Sequence, residues 1–184
     1  PEDMAVQIPL IKSIVKSLNL EMIEKQGYEA DDIIGTLARM CEEKGFQVVM
    51  VTGDKDFKQL ITPIISMWDT MKDKVSDYVS FKETYGLEPE QFIEVMGLSG
   101  DSTDNIPGIP GVGEKTALAL IREFGSFEGV FDHVEEIKKK KLKENLQEYR
   151  ENALLSKKLV VIDRFVALDR DVEELKVGEP RKED

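Results

Sequence analysis

Residues 47–60 read QVVMVTGDKDFKQL, and the change of character midway along this stretch decides the fold. The β-branched run 47–52 is too short for a helix and reads as a strand that stops at Gly53. Asp54 and Asp56 follow its carboxyl end, and a spacing of two in extended chain aims both side chains the same way. Open α/β sheets place ligands beyond that end of their strands. The alternative is an ordinary Asp/Gly loop in which Asp56 caps a helix through FKQLI. Outward from this stretch, 64–68 is a second β-branched run, in which Met67 and Trp68 are expected to pack in the core. Upstream, 29–44 places Ile33, Ile34, Leu37 and Met40 on one helical face, with Gly45 at the C-cap. Residues 20–23 read as a short strand. Before them Ile8, Ile11, Ile14, Val15 and Leu18 follow at helical spacing from a first turn that Pro1, Glu2 and Asp3 suit. Strands alternating with helices indicate a buried parallel sheet.

After Val79 the pattern becomes helical. Ser80 is expected to cap a short helix ending at Gly86, and Pro89 to start another ending near Gly97. An acidic loop rich in Pro and Gly follows. Beyond it Thr116, Leu120 and Phe124 continue a helix from Lys115, and Ser126 caps the next. A lysine-rich stretch then precedes one long helix through Tyr149 and Leu155. The tail after Val177 reads as disordered. A soft boundary near Leu98 divides the chain into 1–98, 99–177 and a tail, 178–184.

The 184 residues, 41% apolar, suffice for one sizeable core with a small helical appendage. Cys41 is the only cysteine, which excludes a disulfide framework and a cysteine-rich zinc site and suits a reducing cytoplasm. No apolar run approaches the roughly 20 residues needed to cross a bilayer, and no basic-then-apolar leader opens the chain. The first residue is Pro1, so the chain is expected to be a piece of something longer. A net charge of −12 argues at first sight against a polyanion partner. Carboxylates gathered around divalent cations reverse that meaning, because the ions draw phosphate toward them.

Three groups of acids carry the chemistry. In YEADD, Glu29 and Asp32 lie three apart at a helix start with Asp31 between them, where they also complement the helix dipole. TGDKD supplies Asp54 and Asp56. GDSTDNIPG supplies Asp101 and Asp104 in a segment that Gly100, Pro107 and Gly108 keep from regular helix. Each is unremarkable alone, as a helix start or a polar turn. Together, at the ends of different elements of an α/β pattern, they converge on one edge of the sheet. Oxygen-only donors suit Mg²⁺ or Mn²⁺ rather than zinc. Two such ions could activate a water and stabilise the leaving oxygen in phosphodiester cleavage. Repulsion among the carboxylates should raise some of their pKa values.

In IPGIPGVGEKTALALI, Gly108, Gly111 and Gly113 precede a helix starting near Glu114, so backbone N–H groups can meet a phosphate there while Lys115 adds positive charge. A purely structural tight turn is the alternative. The glycines do not space as a dinucleotide fingerprint. Lys138–Lys141 form a basic run that either contacts phosphates or is a solvated helix face. His133 sits without a triad arrangement and reads as structural.

The ordered series YEADD, TGDKDFKQL, TYGLEPEQF, GDSTDNIPGIPGVGEKTA and ENALLSKKL spans nearly the whole chain. It resembles the 5′-to-3′ nuclease domain of bacterial DNA polymerase I and, more distantly, flap endonucleases. The resemblance implies a PIN-like, doubly wound α/β core, incomplete at its N-terminus, followed by a helix-three-turn-helix that grips one DNA backbone. It implies removal of DNA 5′ ends, flaps or nicked strands in primer processing and repair, next to a polymerase domain in the parent chain. Glu29, Asp31 and Asp32 would surround one metal, and Asp54, Asp56, Asp101 and Asp104 the other. Gly108, Gly111, Gly113 and Lys115 match the family's DNA contact, whose loop carbonyls also hold a monovalent cation, K⁺. The family's first strands, two further aspartates and a basic arch should precede Pro1. Without them the chain alone is expected to be inactive or nearly so, and its exposed sheet edges to invite self-association. A metal-dependent DNA-binding module without catalysis is the competing reading, and a phosphatase of another α/β family a third.

Overall fold

A computed structural model describes residues 2–180, and side chains from Ala5 onward. The described residues form two compact units, one made of residues up to 41 with those from 163 on, the other of 42–162.

In the first unit, α1 (Glu2–Ser17) is continuous through Pro9. Its apolar positions Ile8, Ile11 and Ile14 are helical as expected, but all three are exposed, as is Leu18 in the turn that follows. Asn19, at φ 54°, ends it. Residues 20–23 are irregular and not a strand; so short a run makes a strand only where a neighbour takes its backbone hydrogen bonds. Helix α2 (Ala30–Glu43) forms over nearly the expected span, but it buries Ile33, Gly35, Thr36 and Ala38, whereas Ile34 of the expected apolar face is exposed and Leu37 and Met40 are only half-buried. Gly45 follows it at φ 78°, a left-handed turn that glycine adopts at no steric cost. The later chain lies along α2. Thr36 Oγ1 donates to the Asp163 carbonyl at 3.4 Å and accepts from Val166 N–H at 3.0 Å. Arg39 Nε donates to the Arg164 carbonyl at 2.7 Å, and its guanidinium lies 4.7 Å from the centre of the Phe165 ring. Gly178 N–H reaches the Asn19 carbonyl at 3.4 Å. Of the tail expected to be disordered, 178–184, residues 178–180 are described without helix or strand, and 181–184 lie outside the described residues, as does Pro1.

The second unit holds a three-stranded sheet in the order β1-β2-β3. β1 (Val48–Val51) and β2 (Ile65–Asp69) are parallel, as expected. β3 (Lys74–Ser76) turns back antiparallel on β2, so the sheet is mixed. The alternation of β2 sorts its residues: Ile65, Met67 and Asp69 are buried, whereas Trp68 is 38% exposed and donates to Asp73. Trp68 is therefore a surface residue rather than the expected core one.

Helix α3 (Tyr78–Tyr85) is capped by Asp77 and not by Ser80. Asp77 accepts from Ser80 N–H at 2.8 Å while Ser80 Oγ accepts from Asp77 N–H at 2.9 Å, a reciprocal box that puts serine one turn inside. Pro89 opens a 3-10 turn (Pro89–Gln91) leading into α4 (Phe92–Ser99). Gly97 is interior to α4 and marks its crossing with α8 (Arg150–Leu159): an added Cβ would lie 2.8 Å from that of Lys157. Gly100, at φ 66°, ends α4 instead. Then come α5 (Glu114–Phe124), α6 (Phe127–Asp132), capped by Ser126 as expected, and α7 (Lys140–Glu148). The single long helix expected here is two, broken at Tyr149 (φ −106°, ψ 22°). Phe81, Phe92, Phe127, Leu98, Ile121 and Leu146 fill the core between these helices.

Candidate functional site

The loop after β1 is a 3-10 helix, Lys55–Leu60, and not extended chain. Asp54 is its N-cap: the carboxylate accepts from Asp56 N–H at 3.0 Å, which settles the capping role on Asp54 rather than Asp56. Gln59, 5% exposed, locks this helix in place. Its Nε2 donates to the carbonyls of Asp56 and Val160, each at 2.9 Å, and its Oε1 accepts from Ile162 N–H at 3.1 Å. Sequence reasoning passed over Gln59, because a glutamine in a polar loop carries no sign of burial.

The second acid pair reaches the same place by a different device. Asp101 and Ile106 exchange backbone hydrogen bonds at 2.9 and 2.7 Å, closing a turn that holds Asp104. Asp101 also caps that turn, accepting from Thr103 N–H at 2.7 Å. Behind it the chain is pinned by a close approach of Gly100 and Gly108: a Cβ on Gly108 would lie 2.4 Å from Gly100 N. Gly108 N–H donates to the buried Ser156 Oγ at 2.9 Å.

The electrostatics show that these acids share one field. Burial, then the charge of Asp54, pushes the Asp56 carboxyl up to about 6, with Asp101 and Asp104 adding to it. The expected repulsion therefore falls on Asp56. Asp101 behaves oppositely: a hydrogen bond from Lys55 Nζ, 2.8 Å away, holds its pKa below the usual carboxylate value. Lys55 is itself pulled down by burial, but Asp101, Asp56 and Glu114 carry its pKa above the ordinary value. Lys55 was not anticipated from sequence, although a lysine between two aspartates was a visible signal.

The structure thus brings together Asp54, Asp56, Asp101 and Asp104. Glu29, Asp31 and Asp32 belong to the other unit, at the start of α2. Glu29 is exposed there, while Asp32 accepts from Asp163 N–H at 2.9 Å. Two observations test whether a hard cation suits the Asp54–Asp104 group. Asp56 Oδ1 is buried and has no hydrogen-bond partner, the state of a donor left over for an ion. Among the described residues, however, no three His, Cys, Asp or Glu side chains form a ready-made cluster, so a cation would have to draw these oxygens closer. The donor chemistry fits Mg²⁺ or Mn²⁺.

The glycine loop leads from this group into α5. Gly111 sits at φ 78° beside Asn145, whose Nδ2 donates to the Pro110 carbonyl at 2.7 Å. Gly113 caps α5 at an ordinary φ of −92°, and nothing lies within 4 Å of where its Cβ would be. No internal packing requires glycine there; its lack of a side chain leaves the backbone at the N-terminus of α5 open. Lys115 is exposed in the first turn. Lys138, Lys139, Lys140 and Lys141 are all exposed, and Lys140 pairs loosely with Glu144 at 3.9 Å. His133 stacks on Phe124 and contacts the Gly129 carbonyl through Nδ1 at 2.9 Å.

With this geometry in hand, comparison with known proteins gives consistent matches. Residues 1–86 match a family described as "5′-3′ exonuclease, N-terminal resolvase-like domain", and 87–183 one described as "5′-3′ exonuclease, C-terminal SAM fold". The chain is 43% identical to DNA polymerase I of Bacillus caldotenax over 99% of its length, and 45% identical to that of Bacillus subtilis over 88%. It spans 21% and 19% of those relatives. A bacteriophage T5 flap endonuclease, solved as a pseudo-enzyme–product complex with DNA and metal ions, superposes with a TM-score of 0.67 at 26% identity, covering 77% of this chain and 52% of that one. Among the described residues no helix is long and apolar enough to cross a membrane.

Proposed function

The chain belongs to the 5′-3′ exonuclease family, and on that premise we propose that it serves as the 5′-3′ exonuclease and 5′-flap endonuclease domain of a DNA polymerase I. It would act in the bacterial cytoplasm on DNA 5′ ends, flaps or nicks left by replication and repair, alongside a polymerase domain. In this reading residues 1–98 carry nuclease carboxylates, and 99–177 carry the helix-three-turn-helix.

The observation that carries the reading is Asp56, a half-buried carboxylate with an unpartnered oxygen, set in the field of Asp54, Asp101 and Asp104. Those four residues would hold one divalent cation, and Glu29, Asp31 and Asp32 another. Bound there, Mg²⁺ or Mn²⁺ would supply an activated water and stabilise the leaving oxygen. The chain's own residues do the rest. Gly113 and Lys115 offer backbone N–H groups and a positive charge to one DNA strand, without reading bases. The turn at Gly108 and Gly111 positions them and leaves carbonyls for a monovalent cation, K⁺. Gln59 holds Asp56 in place, which keeps the carboxylate aimed.

A second reading, a metal-dependent DNA-binding module without catalysis, draws on the absence of a ready-made three-acid cluster among the described residues. One experiment separates the two: hydrolysis of a 5′-labelled flap duplex in Mn²⁺ by the whole parent polymerase, with binding of the same duplex followed by anisotropy in Ca²⁺. Metal-dependent cleavage lost in Asp54→Asn and Asp101→Asn establishes the nuclease. Metal-dependent binding without cleavage favours the module, and neither activity overturns both.

A further inference from the structure

Beside the 53–58 loop lies a cavity of about 180 Å³, bordered by Lys55, Lys58, Lys72, Lys74, Asp69 and Ser76. Its construction follows from local geometry. A 3-10 helix eclipses residues three apart, so Lys55 and Lys58 stand on one side of it. The hairpin from β2 to β3 adds Lys72 and Lys74 to the lining. In a chain of net charge −12, four lysines thus converge around a single acid.

That acid is fully used. Asp69 takes the Lys72 ammonium at 2.9 Å and the N–H groups of Met71 and Lys72 at 3.1 Å each. Lys55 is paired with Asp101. The charge of Lys58 is held without being neutralised: its ammonium lies 4.8 Å from the centre of the Phe92 ring and 5.1 Å from that of Tyr85. Lys74 is exposed, with no ion pair among the described residues. Two positive charges are therefore unmatched beside the hydroxyl of Ser76. By liquid volume the cavity has room for about six waters, enough for a phosphate group but not for a base pair. It also adjoins the carboxylate loop, since a Cβ on Gly53 would lie 3.5 Å from the Asp69 carboxylate.

We propose that this cavity is a phosphate subsite, in which Lys58 and Lys74 hold a backbone phosphodiester of the DNA strand next to the one being cut. The inference rests on the nuclease reading, and lysine suits it as a point charge that grips phosphate without demanding one orientation. A free phosphate has the same chemistry, so the test has two arms.

In the first arm, flap-duplex affinity is measured by anisotropy in Ca²⁺ across a KCl series, for the parent, Lys74→Gln and Lys58→Gln, with thermal melts to verify folding. Each phosphate that a variant no longer neutralises should reduce the slope of log K against log salt by about 0.7–0.9. Lys74→Gln, at an exposed position, is expected to lose about that much and to weaken binding several-fold, while Lys72→Gln changes the slope less. If the parent binds and neither Lys58→Gln nor Lys74→Gln alters the slope, the subsite is refuted while the nuclease reading stands. If the parent does not bind the duplex, the nuclease reading fails and this assignment falls with it. In the second arm, inorganic phosphate is titrated while the amide signals of Lys74 and Ser76 are followed by NMR. Shifts that DNA abolishes support a shared site, whereas shifts that persist with DNA bound assign the pocket to free phosphate and overturn the proposal.

Discussion

The two sides of the 53–58 loop use the same six residues for opposite ends. On one side Asp54 and Asp56 join Asp101 and Asp104: burial and then repulsion push the Asp56 carboxyl up, and one of its oxygens has no hydrogen-bond partner. On the other, Lys55 and Lys58 face lysines of the hairpin, and aromatic rings stabilise charge where no acid does. Lys55 belongs to both, because it lines the cavity and neutralises Asp101. A segment that alternates acid and base along the chain thus contributes, through two turns of 3-10 helix, both to the acid group and to the lysine-lined cavity. The loop has packed support: Gln59 ties it to Val160 and Ile162, and the Phe92 ring carries the Lys58 ammonium.

Removing that support should have the largest effect. Phe92 is fully buried, packs edge-on against Phe81 and Tyr85, and carries the Lys58 ammonium on its face. Phe92→Ala is expected to cost about 3–5 kcal/mol, read from urea denaturation. Next comes Gly108→Ala. Its φ of 56° strains any side chain, and the added methyl would strike the backbone of Ser99 and Gly100. A loss of about 3 kcal/mol is expected, together with weaker flap binding, because Asp101 and the glycine loop share this close approach. If Gly108→Ala melts like the parent, the two loops are not coupled as described.

These effects also mark what could be read from the sequence. The run 47–52, the helix before Gly45 and the N-cap at Ser126 were legible, since period, glycine and serine report local backbone directly. Asp54, Asp56, Asp101 and Asp104 were legible as a group because each pair follows an element end. Two things were not. Asp54 and Asp56 were expected to project together from extended chain, whereas the carboxylate of Asp54 folds the loop into a 3-10 turn by capping Asp56 N–H, a choice that spacing does not encode. The roles of Gln59 and Ser156 depend on partners about a hundred and about fifty residues away, beyond the reach of any window. The run 20–23 failed for the converse reason, as its apolar pattern says nothing about whether a neighbouring strand exists.

A smaller effect should come from the residue that both sides share. Lys55→Met removes the ammonium that competes for Asp101. Without metal it should cost no more than about 1 kcal/mol, as a partly exposed pair. Mn²⁺ affinity, measured by electron paramagnetic resonance, should rise about three- to tenfold. A fall in affinity would mean that Lys55 helps to build the cation site instead of competing with it.

The smallest effect is also the most diagnostic, because its sign is fixed by the direction of one shift. Asp56 titrates at about 6 in the folded chain against an ordinary 3.8. Between those values the folded state binds more protons than the unfolded state, so the stability contributed by Asp56 falls as pH rises from about 4 to about 6 and stays low above that. Asp101, held low by Lys55, runs the other way: its contribution is present above its ordinary pKa and is lost on acidification. Asp56→Asn abolishes only the first trend. In EDTA the variant should match the parent near pH 4 and exceed it near pH 7, by on the order of 1 kcal/mol once solvent screening of a half-exposed group is allowed for. Adding Mn²⁺ should reverse that order, because only the parent offers the ion a full carboxylate. Urea denaturation at pH 4, 5, 6 and 7, with and without Mn²⁺, tests both statements. Parallel curves in EDTA would show that Asp56 is not held under repulsion, and the acid side of the loop would lose the feature that distinguishes it from an ordinary cap.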